Sequence, residues 1–316
     1  MKNTAPHPDA TAIRDRVLAG IAGNRIPGLH FPGYFLDMAL PRFDGEGVEI
    51  AAHHAPHTCG SGGALDLAVL CFLADTTLAT ATRSHVPPGA RLATLHLQVQ
   101  FTGLAADGEV RARSHALGSH AGTAVRQLLS TATLTTAGGV IAHATGEFAA
   151  LDPPPGVALA PLPWQLDRLP EIARLGPRDL DAHERPILKA GNAALAKAAR
   201  GGAFIEHFWG GVPVRAANGA RVRCAIGPHL TNRVGHVQGG ISVGMAARCA
   251  CAAVSPHMQL SNIAAWYISP GRGKALAVRS RLVHAGRTIA VVRTEVKTDS
   301  GARVLEVVTH HVARKS

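Results

Sequence analysis

Residues 92–150 contain four segments in which apolar and polar residues alternate: LATLHLQVQF (92–101), EVRARSHAL (109–117), TAVRQLLSTATL (123–134) and VIAHATGEFAA (140–150). Alternation of this kind is typical of half-buried strands, so the stretch predicts an antiparallel meander. The same order recurs as LSNIAAWYI (260–268), ALAVRSRLV (275–283), TIAVVRTEVKT (288–298) and RVLEVVTHHVA (303–313). The chain therefore contains an internal duplication, and that duplication decides the fold.

The two copies differ at one acid. Their corresponding positions are Phe101 and Tyr267, Pro56-His57 and Pro228-His229, Gly60 and Asn232, and Asp75 and Ala247. The shared histidines are interpreted as structural because both copies keep them. Because Asp75 has no acidic counterpart, we expect the polar chemistry to be divided between the copies.

An apolar stretch precedes each meander. Residues 66–82, DLAVLCFLADTTLATAT, are apolar on nearly every face and predict a buried central helix with Asp66 as its N-cap. Upstream, residues 9–22 predict an amphipathic helix with Asp9 as a possible cap. Two strands are predicted at 34–40 and 47–52, joined by a turn at 43–45.

The chain between the copies is rich in proline. Prolines at 153–155, 161 and 163 indicate a stiff linker, and helical pieces are predicted at 169–175 and 181–200. The predicted organisation is an N-terminal domain over 1–160, a Pro-rich linker with helices over 161–200, and a C-terminal domain over 201–316. The length of 316 residues is comfortable for two domains.

Composition excludes several classes of protein. The net charge of +11 comes from scattered residues, mostly Arg, without the aromatic platform of a nucleic-acid binder. No apolar run is long enough to span a bilayer, and the first residues lack the apolar core of a signal peptide, so a cytoplasmic protein is expected. The five cysteines are odd in number and predict free thiols in a reducing compartment. No metal or phosphate-cradling motif is present, so no cofactor is predicted.

Two stretches resemble a known family. NRVGHVQGG (232–240) is similar to the Asn-x-x-Gly-x-x-His-Gly-Gly loop of the 4-hydroxybenzoyl-CoA and phenylacetate-pathway thioesterases, and LADTTLATA (73–81) is similar to their acid-bearing helix. The chain therefore resembles a double-hotdog acyl-CoA thioesterase. The resemblance implies an α+β tandem hotdog fold, each unit a long buried helix wrapped by an antiparallel sheet. It also implies hydrolysis of acyl-CoA thioesters to free acid and CoA. Gln238 departs from the family pattern, which has His there.

The resemblance implies that one composite site forms per chain. Asp75 from the first copy would act as general base or nucleophile, and Asn232 would orient water or the carbonyl. The Gly239 amide, at a helix start, would donate to the developing oxyanion. The remaining pocket residues would be His236, Gln238 and Gly240, and the CoA phosphates would meet Arg272, Lys274 and Arg287.

Simpler roles are open for several of these residues. Asp75 could be hydrogen-bonded within the helix packing, Asn232 could close an Asx-turn, and the basic residues could be ordinary solvated surface. Two other functions also remain. One is a non-catalytic acyl-CoA-binding or regulatory module, which a locked Asp75 would favour. The other is a hotdog dehydratase or hydratase, which the stretch GLHFPG (28–33) faintly resembles. The expected partner is an acyl-CoA, without nucleic acid or membrane, in a possible homo-oligomer of pseudo-dimeric chains.

Overall fold

A computed structural model describes the chain except residues 1–6, 29, 39–41, 45–46, 88, 121, 123–124, 154–155, 157–158, 163–170 and 316. The helices are α1 Ala10–Asn24, α2 Phe31–Phe35, α3 Leu67–Ala81, α4 Arg185–Ala198, α5 Phe204–Phe208 and α6 Gly239–Ala253. The strands of the first copy are β1 Arg42–Asp44, β2 Gly47–Ala52, β3 Arg91–Phe101, β4 Val110–Ser119, β5 Gln127–Thr136 and β6 Gly139–Leu151. Those of the second are β7 Val214–Ala216, β8 Gly219–Ala225, β9 Met258–Tyr267, β10 Ala275–Ala285, β11 Ile289–Thr298 and β12 Arg303–Ala313.

The strands form one continuous sheet with an internal pseudo-twofold. Its 12 strands run in the order β1-β2-β4-β5-β6-β3-β9-β12-β11-β10-β8-β7. The order reads the same from either edge when the copies are exchanged. The copies join where β3 pairs with β9, with Leu97 opposite Ala265 in antiparallel register. The predicted merging of the two sheets is therefore present.

The central helix of the first copy forms as its sequence predicts. Asp66 caps α3, since its Oδ1 accepts from the Ala68 N–H at 2.8 Å. Most side chains of α3 are buried, because the sheet covers one side and α6 covers the other. An all-round apolar helix needs such cover on every face.

Close contact between α3 and α6 depends on two glycines. A Cβ at Gly240 would lie 2.5 Å from the Phe72 Cα, and a Cβ at Gly244 would overlap the Ala68 Cα. Since the later residue of α6 meets the earlier residue of α3, the helices run antiparallel. The first turn of α6 therefore lies against the middle of α3, where Asp75 is found.

The strand predicted at 34–40 is wrong. Residues 31–35 form the short helix α2, the next residues turn, and 39–40 lie outside the described part. Phe31 and Phe35 are buried one helical turn apart, and Phe35 packs beside Phe208 and Trp209 of the second copy. Burial of this aromatic cluster outweighs the β preference of single residues. The turn predicted at 43–45 is wrong at Phe43 and Asp44, which lie in β1, and Gly45 lies outside the described residues.

Other local expectations were met in part. Asp9 precedes α1 but its side chain makes no capping bond. The helix predicted at 169–175 falls partly outside the described residues, and 171–175 are not helical. The helix predicted at 181–200 is the shorter α4, and the side chain of Val17 in α1 lies 3.3 Å from where a Cβ would stand at Gly191. The proposed domain boundaries stay a prediction.

Candidate active site

Asp75 lies in the middle of α3 and is only 4 % exposed. Its Oδ1 accepts from the Thr94 hydroxyl at 2.9 Å. Its Oδ2 accepts from Gln238 Nε2 at 3.0 Å and from the Gly240 N–H at 3.1 Å. A carboxylate of the first copy is thus held by the helix start of the second copy.

Two opposing influences act on this carboxylate. Burial raises the pKa of Asp75, because a charged group loses hydration inside the protein. The hydrogen bonds from Thr94, Gln238 and Gly240 lower it, because they stabilise the charged form. Burial prevails, so the pKa of Asp75 lies above its ordinary value. A carboxylate with a raised pKa is a stronger base than a solvated one.

Gln238 is fixed at both ends of its side-chain amide. As the N-cap of α6, its Oε1 accepts from the Ile241 N–H at 3.1 Å, while Nε2 donates to Asp75. The amide therefore has one orientation only, with its donor toward the acid. The residue that departs from the family pattern links the two copies at the site.

Gly239 opens the helix beside the same acid. A Cβ there would lie 3.0 Å from Asp75 Oδ2 and 3.2 Å from the Tyr267 hydroxyl, so a side chain would crowd the site. As the first residue of α6, Gly239 has an N–H that finds no acceptor in the part of the chain that the structure describes. Such an N–H, at the positive end of a helix dipole, is suited to an anionic oxygen.

Tyr267 provides a second donor that the sequence analysis did not assign to the site. Its hydroxyl is buried and has no hydrogen-bond partner among the described residues. Burial and the nearby Asp75 hold the pKa of Tyr267 well above 10, so the hydroxyl keeps its proton. The first copy has Phe101 here. Comparing the two copies for polar differences, which identified Asp75, would also have found Tyr267.

Thr94 was missed for a similar reason. The offset that aligns Phe101 with Tyr267 aligns Thr94 with Leu260, so this hydroxyl also belongs to one copy only. A threonine at an inward strand position resembles ordinary β-sheet packing. Only the fold brings it to Asp75.

These groups line one cavity of about 470 Å³ built from both copies. Its wall includes Asp75, Thr94, Gln238, Gly239 and Tyr267. A volume of this size is typical of a small-molecule site. Asp75 therefore faces the cavity and is not confined to the helix packing.

Asn232 and His236 line the cavity but do not contact Asp75. Asn232 Oδ1 accepts from the Val234 N–H at 3.1 Å and the His236 N–H at 3.0 Å, which closes a turn in its own loop. The Asx-turn that the sequence left open is therefore present. Burial and the nearby Arg272 and Arg91 lower the pKa of His236.

Gly240 has a different position from the one predicted. It is packed against the α3 backbone and its N–H is committed to Asp75, so it supports the acid and does not line the cavity. Its predicted contact with substrate stays a prediction.

The predicted phosphate-binding trio is not brought together. Arg272 directly follows Gly271, which lines the cavity, and Lys274 lies just before β10. Arg287 lies in the turn between β10 and β11, at the opposite end of an 11-residue strand. A strand of that length spans about 35 Å. The grouping of Arg287 with the other two is therefore wrong.

The corresponding face of the duplicate has no free acid. Ala247 stands where the first copy has Asp75, and Leu67 stands where the second has Gly239. The nearby carboxylate of Asp66 is buried, caps α3 and pairs with Arg248 Nη1 at 3.5 Å. Arg248 Nη2 also donates to the Trp209 carbonyl. This face therefore has an ion pair beside a second cavity of about 500 Å³, which Leu67, Glu206 and Arg248 help to line.

The described residues lack two kinds of feature. No helix in those residues combines the length and apolarity needed to cross a membrane. No group of three or more His, Cys, Asp or Glu side chains there could hold a metal ion.

Comparison with known proteins gives one family match and several similar structures. Residues 228–313 match the family described as the acyl-CoA thioesterase N-terminal domain. No curated protein matches the chain. The structure resembles the tesB protein of Mycobacterium avium subs paratuberculosis, with a TM-score of 0.53, 13 % identity, and 89 % of this chain and 96 % of that one covered. It also resembles a Lactobacillus plantarum protein provisionally assigned as an oleoyl thioesterase, with a TM-score of 0.53, 10 % identity, and 85 % and 96 % covered.

The match includes nearly the whole length of both similar structures. Their likeness to this chain confirms the predicted tandem hotdog fold. The narrower 4-hydroxybenzoyl-CoA and phenylacetate-pathway branch stays a prediction. The chain thus has a double-hotdog fold, and its residues 228–313 match an acyl-CoA thioesterase domain.

Proposed function

We propose that this acyl-CoA thioesterase works at one composite site, with Asp75 of the first copy as general base and the start of α6 as oxyanion site. The observation that carries the proposal is the buried Asp75 carboxylate, which faces a cavity and is oriented by Thr94 and Gln238. Groups from both copies are needed to assemble it.

The reaction follows from these positions. Asp75 takes a proton from a water molecule as the water oxygen attacks the thioester carbon. The carbonyl oxygen becomes an oxyanion, to which the Gly239 N–H and the Tyr267 hydroxyl donate. The intermediate then breaks its C–S bond and expels the CoA thiolate. Asp75 returns the proton, and the products are a free acid and CoA.

Three donors to Asp75 favour the role of base over nucleophile. Thr94, Gln238 and Gly240 together hold both carboxylate oxygens. A nucleophilic carboxylate would have to form an anhydride through one of these oxygens and give up the bonds it accepts. A base needs only a lone pair toward a water molecule.

The predicted partner, compartment and domain bounds remain part of the proposal. The acyl-CoA is the partner, and the free state of all five cysteines is compatible with a reducing, cytoplasmic setting. The domains are proposed as 1–160 and 201–316 with the linker at 161–200.

The test is release of free thiol from a panel of acyl-CoA esters. Asp75→Asn should lower kcat by about 10²-fold or more on the best ester, because a positioned base contributes that much. The exposed Asp107→Asn is the matched control and should leave kcat unchanged. Near-wild-type turnover by Asp75→Asn would instead favour the acyl-CoA-binding module.

A further inference from the structure

Three arginines line the same cavity without a counter-ion. Arg83, Arg91 and Arg233, called here the arginine cluster, are half-buried in its wall. None of them pairs with a carboxylate among the described residues. Another partly buried arginine of the chain does, since Arg16 pairs with Asp37. Arginines gathered in a cavity without a carboxylate partner indicate an anionic ligand.

The cluster lies at a defined distance from the reaction centre. Arg83 follows Asp75 by eight residues along α3 and the turn after it, a rise of about 12 Å. Arg91 precedes Thr94 by three residues on β3, about 10 Å. Arg83 Nη1 donates to the Ala90 carbonyl at 2.6 Å, which brings the end of the path along α3 next to the start of β3.

Arg233 completes the cluster from the second copy. Its guanidinium donates to the Ala160 carbonyl. It is close enough to Arg83 to help burial lower the pKa of Arg83 to about 10. With burial it also lowers the pKa of His30, another wall residue, to about 4. The positive charges repel one another, and a bound anion would relieve the repulsion.

Buried polar atoms without partners point to the same conclusion. Arg91 Nε is a buried donor without an acceptor, and the Nδ1 atom of His30 is buried without a hydrogen-bond partner. A buried polar atom without a partner is costly, so a ligand group that satisfies it gains affinity. Both atoms belong to residues that line the cavity.

The wall between the reaction centre and the cluster is mainly apolar. On α3 the intervening wall residues are Thr76, Ala79 and Thr80, and on β3 they are Leu92 and Ala93. Phe148 adds a buried ring to the wall. Such a wall suits a polymethylene chain whose two ends are polar.

We infer that the acyl chain of the substrate ends in a carboxylate, so that the preferred substrates are ω-carboxyacyl-CoA esters whose free end binds the arginine cluster. This inference rests on the proposed function. The phosphates of CoA are the other source of negative charge. Esters of N-acetylcysteamine lack these phosphates and therefore distinguish the two sources.

The test compares esters matched in length, such as succinyl with butyryl, adipyl with hexanoyl, and suberyl with octanoyl. At the best length, kcat/KM should favour the carboxylated ester by about 10-fold or more, as charge-assisted hydrogen bonds allow. Arg91→Met and Arg233→Met should bring this ratio toward one, whereas Arg91→Lys should keep part of it. Arg281→Met, on the exposed face of β10, should leave the ratio unchanged.

Several outcomes would overturn the inference while the thioesterase mechanism stands. One is a wild-type enzyme that hydrolyses neutral esters as well as carboxylated ones. Another outcome concerns the methionine variants. If their kcat/KM falls equally for the carboxylated and the neutral CoA ester, but does not fall for N-acetylcysteamine esters, the cluster binds the CoA phosphates. Thermal melts show whether each variant is folded. If the methionine variants are not, the ratio of kcat/KM values measured for Arg91→Lys tests the inference. If Asp75→Asn retains wild-type turnover, the proposed function fails instead.

Discussion

At the scale of the residue, the central feature is a carboxylate that the fold buries and then stabilises by hydrogen bonds. Asp75 could be identified from the sequence because its duplicate position holds Ala247. Gln238 was expected in the pocket, but its contact with Asp75 depends on how the helices pack. Tyr267 could have been found by the same comparison, because the first copy has Phe101 there. Thr94 could not, because a strand threonine resembles ordinary packing until the tertiary structure places it.

The pH dependence should report Asp75 directly. Its ionised form is the base, and burial raises its pKa above the ordinary value of about 3.9. As pH falls through that raised pKa, the base is protonated, and below the pKa kcat/KM should decline in inverse proportion to proton concentration. The measurement is kcat/KM between pH 4 and 8 on a neutral ester. An acid limb centred at or below the ordinary value would contradict this assignment.

The same burial predicts a gain in stability when the charge is removed. An acid whose pKa is raised on folding destabilises the fold once pH exceeds that pKa. Asp75→Asn keeps an acceptor for Gln238 and Gly240 and removes the charge, so Tm at pH 7 should be unchanged or higher. The advantage should shrink as pH is lowered, because the wild-type acid then becomes neutral. A Tm several degrees lower at pH 7 would mean that the charge stabilises the fold.

At the scale of the element, the contact between α3 and α6 places the site. The apolar run at 66–82 predicted a buried helix with the right cap. It could not predict that the first turn of α6 would meet the middle of α3, because that depends on tertiary packing at Gly240 and Gly244. The failed strand at 34–40 has a similar cause, since aromatic side chains from the second copy favour the short helix α2.

Gly244→Ala should test the helix contact. The new methyl group would overlap the Ala68 backbone, so the helices must separate. We expect a loss of about 1–3 kcal/mol in the free energy of unfolding, and a lower kcat as Gln238 moves from Asp75. Urea unfolding and thiol release measure the two effects. Gly62→Ala, which meets nothing within 4 Å, is the matched control. Equal stability of the two variants would mean that α3 and α6 tolerate a wider spacing.

At the scale of the whole molecule, the pseudo-twofold sheet contains two unequal faces. The repeated strand pattern was enough to predict the tandem fold and the joining of the sheets. The sequence also indicated that only one face carries an acid. It did not indicate that Asp66 and Arg248 form an ion pair on the other face, because a helix N-cap and a helix arginine have no visible relation along the chain.

Restoring the missing acid should therefore not restore a second site. Ala247→Asp would add a carboxylate beside Leu67 and Arg248, where no glycine amide corresponds to Gly239. The double variant Asp75→Asn/Ala247→Asp should be as inactive as Asp75→Asn alone. Thiol-release assays of the single and double variants provide the comparison. Recovered turnover in the double variant would show that the second face retains a working oxyanion site.

The joining of β3 to β9 within one chain has a consequence for how such asymmetry arises. In a homodimer of single-copy subunits, every substitution appears on both sides of the symmetry axis, so an arginine that fills one face would fill the other too. Fusion gives each half its own codons and keeps the halves at a high effective concentration whatever the abundance of the protein. Each half can then change independently. One half keeps the acid, while the other supplies the helix start that serves it.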